Sequence, residues 1–93
     1  MDITSGSFMW DDEKDAENIL KHGLSFSAVS EVFFDTNRKF FKDLKHSKLE
    51  DRLFCIGKVS GRIVTVRFTY RGNKIRIIGA GYWRKGRRYY NET

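Results

Sequence analysis

The chain reads as an α+β domain, helices first and an antiparallel sheet after them. Three observations point there. Residues 11–34 carry two apolar runs at helical spacing, each opened by a residue suited to cap a helix. Residues 53–80 fall into strand-like runs separated by the short hairpin signals Ser60-Gly61 and Gly72-Asn73. The length, 93 residues, allows one domain with one modest core. That single domain is expected to span 1–93, with residues 1–7 disordered or foreign to the natural chain, since Ser5-Gly6-Ser7 resembles an appended linker.

In chain order, Phe8-Met9-Trp10 reads as a short strand. Asp11 is placed to cap a helix over 11–22, with Asp12 and Glu13 in the first turn, where the helix dipole favours negative charge. Ala16, Ile19 and Leu20 supply an apolar stripe, and Gly23 suits the left-handed residue that ends the helix. Ser25 caps a second helix over 26–34, whose inner face is Phe26, Val29, Val32 and Phe33. Lys39-Phe40-Phe41 reads as a short strand. Ser47 and Glu50 stand at capping-box spacing, which predicts a brief helical turn after His46.

The second half reads as sheet. Leu53–Val59 is one strand and Arg62–Tyr70 the next, with Val64, Val66, Phe68 and Tyr70 on one face and Thr65, Arg67 and Thr69 on the other. Lys74–Ala80 is the third strand of this meander. Gly79 and Gly81 around Ala80 mark a bulge or a close backbone approach. Two readings stay open for Trp83–Asn91, a short basic helix or an extended arm, Gly86 weighing against helix. The expected architecture is an N-terminal strand and two helices on one face of a sheet of three to four antiparallel strands. The other face and a basic C-terminal segment remain uncovered.

Charge divides the chain as sharply as secondary structure does. Residues 52–91 hold eleven Lys and Arg and no Asp or Glu, whereas eleven of the twelve acidic residues precede them. The net charge of +6 therefore understates the polarity. Tyr70, Tyr82, Trp83, Tyr89 and Tyr90 are interleaved with the positive charges, a pattern that suits a polyanion, nucleic acid foremost. Other classes recede. The lone Cys55 excludes an internal disulfide and, within Leu53-Phe54-Cys55-Ile56, reads as a buried small hydrophobe. His22, His46 and Cys55 lie too far apart for a zinc motif, and no phosphate-cradling glycine loop is present, so neither a metal nor another cofactor is expected. No membrane-length apolar stretch or apolar signal region occurs, and the composition fits a reducing cytoplasm.

Trp10-Asp11, Lys14, Asn18, Lys21-His22-Gly23 and Phe26 resemble the opening signature of the BrnT toxin family. His46-Ser47, Glu50 and Arg52 fit its middle. Ile56-Gly57, Gly61, Thr69, Arg71-Gly72, Ile75-Arg76-Ile77-Ile78 and Ala80 fit its sheet, and Tyr89 or Tyr90 with Glu92 its tail. The resemblance implies a RelE-like ribonuclease fold and a type II toxin that arrests translation by cutting RNA, which fits the basic half. It also implies a cognate antitoxin with a ribbon-helix-helix DNA-binding region, and hence a hetero-oligomer. The family often reads Ser-Ala-Arg where this chain has Gly79-Ala80-Gly81; here Arg84, Lys85, Arg87 and Arg88 restore positive charge a few residues later.

RNA cleavage without metal needs in-line geometry, neutralisation of charge growing on the phosphate, and help for the departing 5′-oxygen. Arginine suits the second task and aromatic rings the first, by stacking an unpaired base. The expected catalytic set is Arg71, Arg84 and Arg87 on the phosphate with Tyr82 handling a proton or stacking. Lys85 and Arg88 guide the strand, Trp83 offers a platform, and Lys21 and His22 approach from a helix end, where the dipole alone also explains them. Arg67 between two threonines reads as a solvated sheet face, Arg76 as an arginine buried against a carboxylate, and Glu31, Asp35 and Asp43 as caps and surface charge. Two alternatives compete with the enzyme: a non-catalytic nucleic-acid-binding module, recognisable by steeply salt-dependent binding without cleavage, and a protein-interaction module whose basic face receives an acidic partner. All three need the uncovered sheet face and the Tyr82–Lys85 segment to form one positive cleft.

Overall fold

The computed structural model describes residues 1–46 and 50–92. Among these, strands β1 (Asp2–Ser5) and β2 (Phe8–Asp11) lead into helix α1 (Asp12–His22) and helix α2 (Phe26–Val29), which continues as a 3-10 turn, Ser30–Phe34. Strand β3 (Lys39–Lys42) and a 3-10 turn (Leu44–His46) follow, then β4 (Leu53–Val59), β5 (Arg62–Arg71), β6 (Lys74–Gly81) and helix α3 (Arg84–Asn91). The strands form one sheet in the order β1-β2-β6-β5-β4-β3, antiparallel except for the parallel β2–β6 pair. The α+β class is as expected, but the sheet has six strands rather than three or four. The two N-terminal strands account for the difference. Asp2–Ser5, where disorder was expected, folds back on β2, and β2 itself, expected with the helices on one face, joins the sheet beside β6.

Helix α1 begins and ends as its sequence dictates. The Asp11 carboxylate accepts from the Lys14 N–H at 3.1 Å, and Gly23 closes the helix at φ 69° with its N–H on the Ile19 carbonyl. Its inward face is not the predicted stripe. Ile19 is 45% exposed and Leu20 88%, whereas the polar Asn18 is buried. Asn18 donates from its amide nitrogen to the Leu24 carbonyl at 2.9 Å, and its amide oxygen accepts from the Ala80 N–H at 3.1 Å. It therefore ties α1, the α1–α2 turn and β6 together. Asp15 accepts from the Phe26 N–H at 2.8 Å and fixes the start of α2. The α2 face behaves as read: Phe26, Val29 and Val32 are fully buried against Trp10, Val64, Val66, Phe68 and Ile77. Cys55 lies in this core, and burial pushes its thiol up to about 12, so it acts as a hydrophobe.

One irregularity reorders β6. Arg67 pairs with Gly79 and Phe68 with Ile77, so Ile78 is an extra residue on β6. Ile77 and Ala80 consequently both face the core, although three apart, and Arg76 does not share a face with Ala80 as strict alternation predicts. Arg76 is paired with Asp2 at 2.9 Å, the carboxylate partner expected for it.

The opposite sheet face is not left open. Helix α3 crosses β4 and β5 on that side, settling the two readings of residues 83–91 in favour of helix. Gly86 permits the crossing: a Cβ there would run into Thr65 Oγ1 and lie 3.7 Å from Ile56 Cδ1. The far end of α3 is held by Tyr90, whose hydroxyl donates to Asp35 at 2.6 Å. The capping-box turn expected from Ser47 lies outside the described residues. Among the described residues, no helix is long and apolar enough to cross a membrane.

Candidate functional site

Between α3 and the segment that follows β3, the second sheet face holds a cleft of about 650 Å³. Phe41, Phe54, Thr65 and Arg67 come from the sheet, Lys42, Asp43, Leu44 and Lys45 from one wall, and Trp83, Lys85, Gly86 and Tyr89 from the helical wall. The ladder explains the floor. Phe41 is opposite Phe54 and Phe54 opposite Arg67, so these three side chains form a row across β3, β4 and β5. Thr69 lies further along the same face, its hydroxyl donating to the Asp51 carbonyl at 2.6 Å, which draws the chain after the wall segment down onto the sheet.

The cleft is aromatic and cationic together. Phe41 stacks at a tilt on Phe54 (4.9 Å between centroids) and on Tyr89 (5.1 Å), and Lys85 Nζ lies 6.0 Å from the Tyr89 ring centre. Trp83 packs on the backbone of Gly81, where a Cβ would come within 2.9 Å of the indole. The other flank of Trp83 meets His22 at 6.2 Å, so the end of α1 borders the site. Lys45 and Lys85 make no ion pair among the described residues, and Lys42 is paired with Asp51 at 3.1 Å.

Arg67 is the least satisfied group in the cleft. Among the described residues its Nε, shut off from water, has no hydrogen-bond partner; it forms an ion pair with the buried Asp43, whose Oδ2 at 3.7 Å is beyond hydrogen-bond reach. Its guanidinium carbon is 5.9 Å from the Phe54 ring centre. Arg67 read as a solvated sheet residue, and the alternation of β5 does put it on the correct face. What the sequence did not display was that α3 and residues 42–45 would wall that part of the face. Asp43, read as surface charge, is likewise buried beside it.

The structure brings some of the expected site residues together and separates others. Trp83 and Lys85 line the cleft, and Arg88 joins Lys85, Tyr89 and Glu92 around a smaller groove of about 160 Å³. His22 borders Trp83, while Lys21 is exposed in the last turn of α1. Arg84 and Arg87 are exposed on α3 outside the lining. Tyr82 packs against the hydrophobic core under the Arg62 guanidinium, 4.0 Å from its ring centre. Arg71 sits four residues beyond Arg67, about 13 Å along the strand, and reaches Glu50 at 3.5 Å.

The latch on α3 is electrostatically tuned. The Tyr90 hydroxyl, with the Asn37 and Lys58 N–H groups, holds the Asp35 carboxyl below its ordinary range. The same carboxylate pushes the Tyr90 hydroxyl up.

No single curated protein matches the chain. The family model described as ribonuclease toxin, BrnT, of type II toxin-antitoxin system matches residues 10–86, from Trp10 in β2 to Gly86 where α3 meets the sheet. With most of the chain inside that match, including the floor of the cleft and all of its lining except Tyr89, this protein belongs to the BrnT family of ribonuclease toxins.

Proposed function

We propose that this toxin cuts single-stranded RNA in the α3–β5 cleft without a metal ion, arrests translation by doing so, and is silenced by its antitoxin. The carrying observation is the composition of the cleft: four aromatic rings and the cations Lys42, Lys45, Arg67 and Lys85 around one 650 Å³ space. That volume falls in the range of about 300–1,000 Å³ typical of pockets for small organic groups, the scale of a nucleotide. Trp83 and Tyr89 offer flat surfaces to an unpaired base, which a duplex would keep stacked and out of reach. The cations stand where a flanking phosphate would lie.

The chemistry such a site supports is internal transfer. The ribose 2′-oxygen forms a bond to the adjacent phosphorus and loses its proton to a base. The bond from phosphorus to the 5′-oxygen breaks, and that oxygen takes up a proton. The products are a 2′,3′-cyclic phosphate and a 5′-hydroxyl end. The protein's part is to align the attack and to stabilise the negative charge that grows on the non-bridging oxygens. Arg84, Arg87 and Arg88 prolong the positive surface along α3 and guide the strand, while His22 flanks the Trp83 platform. Translation arrest and control by a ribbon-helix-helix antitoxin follow the pattern of the family resemblance.

Purified protein incubated with single-stranded RNA and excess EDTA should yield fragments ending in 2′,3′-cyclic phosphate. Lys85→Ala should slow this by about tenfold or more, the scale of losing one electrostatic contact to the transition state. RNA left intact in EDTA and cut once Mg²⁺ is restored would overturn the metal-free reading. RNA left intact under both conditions, ribosomes included, would overturn cleavage itself.

A further inference from the structure

We infer that Arg67, rather than an arginine of the C-terminal helix, grips the RNA phosphate, with Asp43 as the residue that aims it; this rests on the cleft being the RNA site. Three observations converge. Arg67 lies on the cleft floor and is only 29% exposed, yet it makes no hydrogen bond among the described residues. Its Nε is sealed from water, whereas its terminal nitrogens are not among the sealed atoms, so the open end of the guanidinium is the forked end. Gly79, its cross-strand partner, leaves open space: a Cβ there would meet nothing within 4 Å.

A half-buried guanidinium with unused donors is costly unless something accepts from them. Water reaches only the forked end, which faces a cleft walled by Phe41, Phe54 and Tyr89. A phosphate suits that end well, because two of its oxygens match the guanidinium fork. Asp43 stands on the Nε side, 3.7 Å away and 6% exposed. Its carboxylate holds the stem of the guanidinium and leaves the fork pointing at solvent. The cross-strand row then sets spacing: a phosphate on Arg67 lies one strand from Phe54 and two from Phe41, so the base attached to it falls among the rings. Arg84, Arg87 and Arg88 lack such a setting: they are exposed on α3 and make no ion pair or cation–ring contact among the described residues.

The test compares wild type, Arg67→Ala, Arg67→Lys and Asp43→Asn, all checked for an unchanged melting temperature. Binding is read by fluorescence anisotropy on a labelled 2′-deoxy oligonucleotide, which cannot be cut, and cleavage on the matching RNA. Arg67→Ala should cut about 100-fold more slowly, as for a lost electrostatic stabiliser of the transition state. It should also reduce the slope of log affinity against log salt by about 0.7, the single-strand value for one phosphate contact. Arg67→Lys should recover the slope and not the rate, since the charge returns without the fork. Asp43→Asn should lower kcat with KM within about twofold, the mark of a group acting only as the transition state forms. Arg67→Ala binding and cutting like wild type while Lys85→Ala fails would overturn this inference and leave the RNA site standing. Wild type that neither binds nor cuts would remove the RNA site and this inference together. Should Arg67→Ala not fold, Arg67→Gln keeps the size of the side chain and decides the same question.

Discussion

Asp35 and Tyr90 show how two side chains far apart in the chain govern the shape of the site. Tyr90 closes α3 onto the rim of the sheet through one hydrogen bond of 2.6 Å, and α3 is the wall that carries Trp83, Lys85 and Tyr89. The pH dependence of the latch follows from the two shifts. A carboxyl held below its unfolded pKa contributes stability above that pKa, of about 3.9, and the contribution is lost as the pH falls through the lower folded value. A hydroxyl pushed above its unfolded pKa works the other way. Its contribution is whole below about pH 10 and is lost as the pH rises through the higher folded value. Tyr90→Phe should therefore cost about 1 kcal/mol near neutrality, the net worth of an ordinary hydrogen bond. The deficit relative to wild type should shrink once the pH falls below the ordinary carboxylate range and again once it rises above the ordinary tyrosine range. Chemical denaturation of both proteins across that range measures it; a deficit independent of pH would show that Tyr90 acts by packing alone.

At the scale of elements, the same principle divides what the sequence displayed from what it concealed. Local signals were faithful. Asp11 and Ser25 cap their helices, Gly23 ends α1, and the turns at Ser60-Gly61 and Gly72-Asn73 join β4 to β5 and β5 to β6. Properties that depend on two distant elements were not legible. Ala16, Ile19 and Leu20 had helical spacing, but spacing cannot tell which side of a short helix meets a sheet. Asn18 faces inward because the Leu24 carbonyl and the Ala80 N–H both need a partner there, and one amide side chain serves both. The extra residue at Ile78 and the roof formed by α3 share that character, since each is decided by a neighbour across the sheet. The site followed suit: Trp83 and Lys85, marked by local charge and aromaticity, line the cleft, while Arg67 and Asp43 became visible only with its walls in place. Stability should invert the hydropathy scale on α1. Asn18→Ala, losing two buried hydrogen bonds, should cost about 2–3 kcal/mol. Leu20→Gln, on a side chain 88% exposed, should stay within about 0.5 kcal/mol. Urea titrations of the pair would check the order, and equal costs would mean that Leu20 packs against something the monomer lacks.

Over the whole molecule, positive charge is more plentiful than usable positive charge. Arg76 is bound to Asp2, Arg71 to Glu50 and Lys42 to Asp51, and Lys74 donates to the Gly6 carbonyl at 2.6 Å. The acidic first half thus neutralises Arg76 and Arg71 at the rims of the sheet. Along α3 it does not: Arg84, Lys85, Arg87 and Arg88 make no ion pair among the described residues. Four unpaired cations are therefore concentrated on the helix beside the cleft. Salt dependence can locate the usable charge. Each phosphate contact on a single strand contributes a slope of about −0.7 in log affinity against log salt. Contacts from Lys45, Arg67, Lys85 and one helix arginine would sum to about −3, far below what eleven positive charges in residues 52–91 would give if all took part. Lys85→Ala should flatten the slope by about 0.7, whereas Lys74→Ala, at the remote hairpin, should leave it unchanged. Anisotropy titrations on the 2′-deoxy oligonucleotide between 50 and 200 mM salt, roughly the range over which such contacts are usually resolved, would decide the matter. Equal slope losses at Lys74 and Lys85 would extend the nucleic acid to the β5–β6 hairpin and overturn its confinement to the cleft beneath α3.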